Sequence, residues 1–247
     1  MLPSNRKFGL LGRNIQYSFS KKYFTDKFQS ENLSHCFYEN FDIQDIFEFT
    51  KVAKTDGLAG LNVTIPYKQE IIPFLDKLSK KAKAIGAVNT IKFTKSGKTK
   101  GYNTDWYGFS KSIVPLLKPE HSKALVLGTG GASKAVAFAL KKLNIEVAFV
   151  SRNKTRMGFT YQQLNQEIVS EYKIVVNCTP LGTSPNIDIC PDFPYQFITN
   201  KHLFVDLIYN PEMTLFLQKA AKMGATIKNG YEMLVLQAEK SWEIWNR

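Results

Sequence analysis

Three short segments carry amide, hydroxyl and charged side chains that could bind a hydroxylated ligand and move a proton. They are residues 62–68, 89–90 and 103–105. In the first, Asn62 and Thr64 alternate along an otherwise apolar strand that runs into Pro66 and Lys68. Buried polar groups are costly unless they find partners, and open α/β folds bind ligands beyond the ends of their strands. The pattern predicts a polar ligand site that includes Lys68 and Asp105.

A glycine turn predicts a second site. The residues Gly128-Thr129-Gly130-Gly131-Ala132-Ser133 lie between an apolar strand and an alanine-rich helix. Glycine lets the backbone fold tightly and lets a pyrophosphate approach the N–H groups at a helix N-terminus. A glycine cluster alone is weak evidence, but the flanking strand, helix and second strand together have the length of one βαβ unit. A dinucleotide site is therefore favoured over a plain tight turn.

The loop after the second strand of that βαβ unit indicates which dinucleotide binds. NAD-binding versions place Asp or Glu there to accept from the ribose 2′-hydroxyl. Glu167 is the only acidic residue between 147 and 168, whereas Arg152, Lys154 and Arg156 are cationic. A guanidinium can pair with a 2′-phosphate and stack on adenine. The loop predicts NADP in preference to NAD, with a solvated basic loop as the alternative.

The periodicity of the chain supplies the elements that must position these residues. Apolar runs predict strands at 6–12, 35–41, 58–65, 87–94, 98–103, 124–127, 146–150, 173–177, 203–207 and 225–227. Helical spacing predicts helices at 20–33, 45–54, 67–75, 106–117, 132–143, 213–223 and 231–245. Ser96-Gly97 between two strands is typical of a hairpin. The alternation predicts an α/β fold with mostly parallel sheets covered on both faces.

The predicted boundary near Asp105 separates two α/β domains, with a cleft between them as the expected ligand site. The first is a substrate-binding and catalytic domain over residues 1–105, with a mostly parallel sheet. The second is a Rossmann-like dinucleotide domain over residues 106–230.

Composition excludes several other classes of protein. The 247 residues are 44% hydrophobic and 13% aromatic, which is enough apolar surface for a globular core. No run approaches the ~18 apolar residues of a membrane span, and the apolar patch near the N-terminus is too short for a signal peptide. The three cysteines are odd in number and lack the spacing of metal ligands, so neither a disulfide framework nor a metal site is predicted. A reducing compartment, the cytoplasm, is therefore expected.

The charge of +12, from 33 Lys and Arg against 21 Asp and Glu, raises the alternative of a nucleic-acid-binding protein. The lysines are scattered and no nucleic-acid-binding motif accompanies them. A lysine-rich solvated surface is therefore favoured, with no specific nucleic-acid partner.

The chain resembles the shikimate dehydrogenase family through segments that run in order along nearly its whole length. The most specific are Asn62-Val-Thr-Ile-Pro-Tyr-Lys68 and Asn103-Thr-Asp105. The others are Gly9-Leu-Leu-Gly12, Ser18-Phe-Ser20, Gly86-Ala-Val-Asn-Thr90, Gly128-Thr-Gly-Gly-Ala-Ser133, Asn177-Cys-Thr-Pro-Leu-Gly182, Asp206-Leu-Ile-Tyr-Asn-Pro211 and Asn229-Gly-Tyr-Glu-Met-Leu-Val-Leu-Gln237. The resemblance implies reduction of 3-dehydroshikimate to shikimate with NADPH, and a C-terminal helix, 231–247, that completes the first domain.

The resemblance also implies a role for each matching residue. Lys68 and Asp105 form the catalytic pair. The substrate is bound by Ser18, Ser20, Asn62, Thr64, Asn89, Tyr209 and Gln237. NADP is bound by Gly128, Thr129, Gly130, Gly131, Ala132, Ser133, Ser151, Arg152, Asn153, Arg156, Thr179, Gly230 and Met233. No metal is expected.

Two departures from the family pattern concern the substrate and the cofactor. Tyr17 and Lys21 replace the usual His and Pro around Ser18 and Ser20, which bears on the geometry of that loop. The stretch from 156 to 173 is shortened, beside the expected adenine pocket.

The chemistry of Lys68 is open at this stage. A lysine ammonium can donate a proton to a nascent alkoxide and stabilise its charge. Burial favours the neutral amine, whereas a neighbouring carboxylate favours the ammonium, so Lys68 is either a general base or a charged hydrogen-bond donor.

The sequence leaves open two alternative functions and the oligomeric state. A quinate/shikimate dehydrogenase of altered substrate range and a non-catalytic NADP-binding sensor are the alternatives to shikimate dehydrogenase. The oligomeric state is a monomer or a homodimer.

Overall fold

The computed structural model describes residues 5–16, 18–94, 96–153 and 158–247. The strands are β1 (Arg6–Gly12), β2 (Cys36–Asp42), β3 (Leu58–Val63), β4 (Lys77–Leu78), β5 (Thr90–Phe93), β6 (Thr99–Tyr102), β7 (Lys123–Leu127), β8 (Glu146–Ser151), β9 (Gly158–Thr160), β10 (Ile174–Asn177), β11 (Leu203–Asp206) and β12 (Thr226–Lys228). The helices are α1 (Phe19–Ser30), α2 (Phe49–Val52), α3 (Lys80–Ile85), α4 (Asp105–Ile113), α5 (Gly131–Lys142), α6 (Gln166–Glu171), α7 (Leu215–Lys222) and α8 (Tyr231–Asn246). Short 3₁₀ helices cover Ile46–Glu48, Ile72–Phe74, Val114–Leu116, Tyr161–Gln163 and Tyr195–Phe197.

The chain divides into two compact units. Unit 1 comprises Met1–Thr104 and Ala238–Arg247, and unit 2 comprises Asp105–Gln237. Helix α8 therefore contributes its first seven residues to unit 2 and the remainder to unit 1.

Unit 1 is built on a mixed six-stranded sheet in the order β2-β1-β3-β5-β6-β4. Strands β1, β2 and β3 are parallel, and β5 runs antiparallel to both β3 and β6. The hairpin of β5 and β6 lies at the predicted Ser96-Gly97 turn, where Gly97 has φ +76°. One face of the sheet packs on α1 and α8 through Phe8, Phe24 and Trp245, and the other carries Leu61 and Ile91.

Unit 2 is built on an all-parallel sheet in the order β12-β11-β10-β7-β8-β9. Counted from β7, this is the 3-2-1-4-5-6 order of doubly wound dinucleotide-binding folds. Alternate residues of β7 enter two separate cores, Leu125 and Leu127 in one and Ala124 and Val126 in the other. Covering both faces explains why the sequence shows these strands as apolar runs without alternation.

The helix predicted over 67–75 is wrong. Residues 65–71 form successive turns, and only Ile72–Phe74 is helical, as a 3₁₀ turn. Pro73 lacks the backbone N–H that an α-helix would use to bond the carbonyl four residues before it, so an α-helix cannot continue through this segment. Lys68 consequently lies on a turn, where its carbonyl accepts the Val88 N–H at 2.7 Å.

A buried imidazole links helix α6 to the loop that precedes β11. The His202 side chain is 1% exposed, its Nδ1 accepts from the Thr199 N–H at 3.0 Å and its Nε2 donates to the Val169 carbonyl at 2.9 Å. Burial lowers the pKa of His202. Both ring nitrogens have partners in the neutral form, Nδ1 also lying 3.0 Å from Thr199 Oγ1, and burial is what disfavours the charged ring.

The stability of unit 2 is expected to depend on pH through His202. Because its pKa is lower in the folded protein than in the unfolded chain, its contribution is complete above about pH 6.5 and is lost as the pH falls below that value. The free-energy advantage of wild type over His202→Gln should shrink by up to about 1.4 kcal/mol per pH unit below pH 6.5. Urea unfolding of both proteins between pH 8 and pH 5 measures this difference.

His35→Gln is the matched control, since His35 is a half-buried histidine at the start of β2 and not part of unit 2. A wild-type advantage over His202→Gln that stays constant across this pH range would contradict the assignment.

Candidate functional site

A buried polar cluster occupies the strand ends of unit 1. Asn62 at the end of β3 is 4% exposed, and Asn89 just before β5 is 3% exposed. The Tyr38 hydroxyl donates to Asn62 Oδ1 at 2.8 Å, and Asn62 Nδ2 donates to Ser241 Oγ at 3.0 Å. Ser241, on α8, also lies 2.8 Å from Thr90 Oγ1. Each group replaces the water it loses with a protein partner, as burial requires.

The same cluster fixes Asn89 through the segment that leads into α4. Asn89 Oδ1 accepts the Thr104 N–H at 2.6 Å, and Asn89 Nδ2 donates to Thr104 Oγ1 at 2.9 Å. Thr104 is fully buried, and Asp105 follows it directly as the first residue of α4, 5% exposed. The two hydrogen bonds between Asn89 and Thr104 therefore fix the backbone at the residue immediately before Asp105.

The two predicted serines flank the start of α1. The Ser20 hydroxyl hydrogen-bonds to the Tyr38 hydroxyl and so joins the polar cluster, while burial raises the pKa of Tyr38. Ser18 is the N-cap residue of the helix, and its Oγ is buried with no hydrogen-bond partner among the described residues. A buried hydroxyl in this state is suited to an incoming ligand, because the ligand would supply the missing bond.

Asp42 anchors the loop that precedes Ser18. Its two carboxylate oxygens accept the N–H groups of Asn14 at 2.9 Å and Ile15 at 3.2 Å. Lys21, one of the departures from the family pattern, is exposed in the first turn of α1, and Tyr17, the other, lies outside the described residues. The described part of this loop is thus held by hydrogen bonds from the Asn14 and Ile15 backbone to Asp42.

The remaining predicted substrate-binding and catalytic residues are divided between the two units. Thr64 is half-buried just beyond β3, and Lys68 is half-buried on the turn that follows. Gln237, in unit 2, is 7% exposed and its Nε2 donates to the Leu234 carbonyl at 2.9 Å. Tyr209, also in unit 2, is half-buried three residues after β11.

The glycine turn of unit 2 sits between β7 and α5. Gly128 adopts φ +102° and its N–H donates to the Val150 carbonyl at 2.8 Å. Gly130 is the N-cap of α5 and has open space where a side chain would project. Ser133 is fully buried in the first turn of α5, and its Oγ has no partner of hydrogen-bonding geometry among the described residues. The helix N-terminus, with Thr129 exposed beside it, is thus open to an anion.

Three further predicted cofactor residues lie near this turn or approach its neighbouring strands closely. Thr179 Cγ2 lies 3.3 Å from the position of a Cβ on Gly128. Gly230 approaches the residue that follows β11 so closely that a Cβ would lie 2.1 Å from the Leu207 carbonyl oxygen. Met233 on α8 is 8% exposed and belongs to the core that also contains Phe109. Only glycine fits at 230, which explains its presence at the start of α8.

The basic loop after β8 is described as far as Asn153. The Ser151 hydroxyl donates to the Asn153 carbonyl, and Arg152 and Asn153 are exposed. Burial raises the pKa of Tyr161 to about 12, and the Arg152 charge acts in the opposite direction, so the guanidinium lies near that ring. Arg156 and Lys154 lie outside the described residues.

Sequence reasoning missed the residues that hold the predicted ones in place. In unit 1 these are Tyr38 and Ser241, and in unit 2 they are Asn177, Asp206 and Thr214. Ser241 had one available signal, because it lies four positions after Gln237 and so on the same side of α8.

Other chemistry finds no support in the described part of the chain. No group of three or more His, Cys, Asp and Glu side chains there could hold a metal ion. None of its helices combines the length and apolar character needed to cross a bilayer. Burial raises the pKa of the Cys178 thiol, which keeps it protonated rather than nucleophilic.

A doubly wound sheet with a glycine turn, joined in one chain to a mixed sheet with a buried polar cluster, defines a two-unit dinucleotide-binding α/β protein. Comparison with known proteins narrows this class. Residues 10–91 match the family model described as the shikimate dehydrogenase substrate binding domain. The chain is 36% identical to the shikimate dehydrogenase (NADP(+)) of Desulforamulus reducens, over 96% of this chain and 88% of that protein.

Solved structures agree with that comparison. Shikimate 5-dehydrogenase from Thermus thermophilus, in complex with NADP(H) and shikimate, is 30% identical with a TM-score of 0.85, covering 97% of this chain and 93% of that one. Quinate dehydrogenase from Corynebacterium glutamicum, in complex with NAD, is 25% identical with a TM-score of 0.87, covering 98% and 94%. The chain belongs to the shikimate dehydrogenase family.

The buried cluster of unit 1 is expected to be sensitive to loss of one hydroxyl. Ser241→Ala removes the partner of both Asn62 Nδ2 and Thr90 Oγ1, which leaves buried polar atoms with weaker bonds. The free energy of unfolding should fall by about 1–3 kcal/mol, measured by urea denaturation at pH 8.

Ser30→Ala is the matched control, because Ser30 is also a helical serine but is exposed, with its hydroxyl donating to the Lys27 carbonyl. It should change stability by no more than about 0.5 kcal/mol. Equal effects of the two substitutions would show that the cluster contributes nothing particular to stability.

Proposed function

We propose that this chain catalyses the reversible, NADP-dependent reduction of 3-dehydroshikimate to shikimate in aromatic amino-acid biosynthesis. The observation that carries the proposal is the 36% identity to an NADP(+)-dependent shikimate dehydrogenase over 96% of the chain, which includes both units. The polar cluster of unit 1 and the glycine turn of unit 2 support it, because they supply the two kinds of site that the reaction needs.

The residues around the glycine turn fit NADP. The buried Ser133 hydroxyl has no partner of full hydrogen-bonding geometry among the described residues, the Cys178 thiol being a weakly interacting neighbour, and the N-terminus of α5 presents N–H groups beside residues without bulky side chains. A pyrophosphate would satisfy these donors. We assign binding to Gly128–Ser133, Ser151, Asn153, Thr179, Gly230 and Met233.

Selection of NADP over NAD is assigned to the basic loop after β8. Arg152 is exposed there, and a guanidinium binds a phosphate through two parallel hydrogen bonds. From the sequence, we propose that Arg156 binds the same 2′-phosphate together with Arg152.

The substrate residues of unit 1 suit a polyhydroxylated acid. Ser18, with its buried unpartnered Oγ, is assigned to the carboxylate, together with Ser20 and, from unit 2, Tyr209. Asn62, Thr64 and Asn89, with Gln237, are assigned to the ring hydroxyls. We therefore propose unit 1 as the substrate-binding unit and unit 2 as the NADP-binding unit. They correspond to the predicted domains 1–105 with 231–247, and 106–230, except that Asp105 and residues 231–237 fall in unit 2.

Ketone reduction needs a hydride and a proton. Bound NADPH supplies the hydride to the ketone carbon. The Lys68 ammonium donates a hydrogen bond and then the proton to the ketone oxygen, and its charge stabilises the developing alkoxide. The Asp105 carboxylate orients the ammonium. In the reverse direction Lys68 receives the hydroxyl proton of shikimate.

A second candidate is a quinate/shikimate dehydrogenase of wider substrate range. The similarity of the fold to that of quinate dehydrogenase, with a TM-score of 0.87, supports this second candidate. The two candidates share every residue assigned above and differ in whether a saturated ring with an additional hydroxyl is accepted as substrate.

The proposed setting is the cytoplasm, with the chain acting as a monomer or homodimer and without a specific nucleic-acid partner. Light scattering of the purified protein at micromolar concentration distinguishes the two oligomeric states.

A substrate and cofactor panel tests the proposal. Initial rates of dinucleotide reduction, followed by absorbance, are measured with shikimate and quinate, each with NADP⁺ and NAD⁺. Shikimate with NADP⁺ should give the highest kcat/KM, because Arg152 can pair with the 2′-phosphate that NAD⁺ lacks. No turnover of shikimate with NADP⁺ would overturn the proposal, and comparable rates with quinate would establish the second candidate.

Lys68→Ala should abolish nearly all turnover while leaving NADP⁺ affinity intact. Loss of a positioned proton donor lowers kcat by about 10²–10⁴-fold. Steady-state kinetics with shikimate give kcat, and fluorescence titration gives the dissociation constant for NADPH.

Lys51→Ala, which changes an exposed lysine of α2, is the control and should retain wild-type rates. Unchanged turnover in Lys68→Ala would remove this residue from the mechanism. A wild-type protein that binds NADPH without turning over any acid would instead support a sensor.

A further inference from the structure

A buried carboxylate at the end of β11 has no part in the mechanism above. Asp206 is fully buried and accepts three hydrogen bonds. Asn177 Nδ2 and the Ile208 N–H donate to Oδ1, each at 3.0 Å, and the Thr214 hydroxyl donates to Oδ2 at 2.6 Å. A buried carboxylate with this many donors is a fixed point of the structure, since its desolvation must be offset by those bonds.

One of these bonds leads towards the glycine turn. Asn177 and Asp206 are register partners on the neighbouring strands β10 and β11. Since Asn177 Nδ2 is held by Asp206, its Oδ1 faces the following loop and accepts both the Thr179 N–H at 3.0 Å and the Thr179 hydroxyl at 2.7 Å. Thr179 Oγ1 in turn accepts the Leu181 N–H at 3.3 Å. The bonds form a continuous relay from Asp206 through Asn177 to Thr179.

Thr179 is the end of the relay that meets the predicted cofactor site. Its methyl group lies 3.3 Å from the position of a Cβ on Gly128. A shift of Thr179 would therefore move the wall of the glycine turn. The relay also fixes the side-chain amide of Asn177, because only one orientation donates to Asp206 and accepts from Thr179.

The charge state of Asp206 is compatible with this role. Burial raises its pKa to about 6, against the three hydrogen bonds, which lower it. Two titratable side chains interact electrostatically with it, Cys178 after β10 and Tyr195 in a 3₁₀ turn, and burial raises the pKa of both. Lys219 of α7 lies over the Tyr195 ring, with its Nζ 4.9 Å from the centroid. At pH 8 Asp206 is therefore a carboxylate beside a neutral thiol and a neutral phenol.

We propose that Asp206 is a positioning residue for the cofactor, which holds Thr179 against the glycine turn through Asn177. The proposal rests on the proposed function in that the ligand is NADP(H). It requires Asp206 to act on cofactor binding, not merely on the stability of unit 2. An amide at 206 can replace the carboxylate, since its oxygen accepts from Asn177 and Ile208 and its NH₂ donates to Thr214.

The test compares Asp206→Ala, Asp206→Asn and Asn177→Ala with Thr214→Val at pH 8. Thr214→Val is the matched control, because it removes one bond from the carboxylate and leaves the relay intact. For each protein, fluorescence titration gives the dissociation constant for NADPH. Hydrogen–deuterium exchange measures protection of residues 174–182, and thermal unfolding measures stability.

Asp206→Ala and Asn177→Ala should each weaken NADPH binding at least about fivefold and speed exchange in 174–182. A double variant that combines them should bind no worse than the weaker-binding single variant, because both substitutions break the same relay. Asp206→Asn should bind within about twofold of wild type. Thr214→Val should also bind within about twofold, even where its unfolding temperature falls as far as that of Asp206→Ala.

NADPH affinity and exchange that are unchanged in Asn177→Ala would overturn the relay while leaving the proposed function intact. This variant keeps two of the three bonds to Asp206, so it decides the question even where Asp206→Ala does not fold. A fall in affinity in Thr214→Val equal to that in Asp206→Ala would also overturn it. Wild-type protein that binds NADPH but does not oxidise shikimate would overturn the proposed function alone, because the relay concerns the cofactor only.

Discussion

An amide or hydroxyl at the end of a buried strand costs free energy unless hydrogen bonds replace the water it loses, and this constraint shapes both units. In unit 1, Asn62 and Asn89 satisfy it by bonding to Tyr38, Ser241 and Thr104. In unit 2, the Asn177 amide satisfies it by bonding to Asp206 and Thr179. Asn62, Asn89 and Thr179, which are proposed to touch ligands, are therefore held in place before any ligand arrives, which lowers the entropy cost of binding.

Two hydroxyls depart from this rule. Ser18 and Ser133 each bury an Oγ that has no partner of full hydrogen-bonding geometry among the described residues, and each lies at or near the N-terminus of a helix of twelve residues. Helix N-termini favour negative charge. The substrate carboxylate and the dinucleotide phosphates are the anions of the proposed reaction. The two unsatisfied hydroxyls thus lie at the two places where the account requires an anion to bind.

Much of the fold followed from the sequence, because apolar runs, helical spacing and glycine turns are local. The doubly wound alternation of unit 2 and the hairpin at Ser96-Gly97 are visible in this way. Strand β4, with two residues, has no periodicity to read, and Pro73 overrode an apparently helical pattern. The partners of the site were hidden for another reason, since Asn62 and Ser241 are 179 residues apart and only tertiary structure joins them.

The central claim is that unit 1 binds the hydroxylated acid and unit 2 binds the dinucleotide phosphates. Hydrogen–deuterium exchange with each ligand alone tests it most directly. Shikimate should protect residues 60–70 and 87–94 and leave the glycine turn unchanged, whereas NADP⁺ should protect residues 127–135 and 174–182. Protection of the glycine turn by shikimate alone, or of residues 60–70 by NADP⁺ alone with no effect at 127–135, would contradict the account.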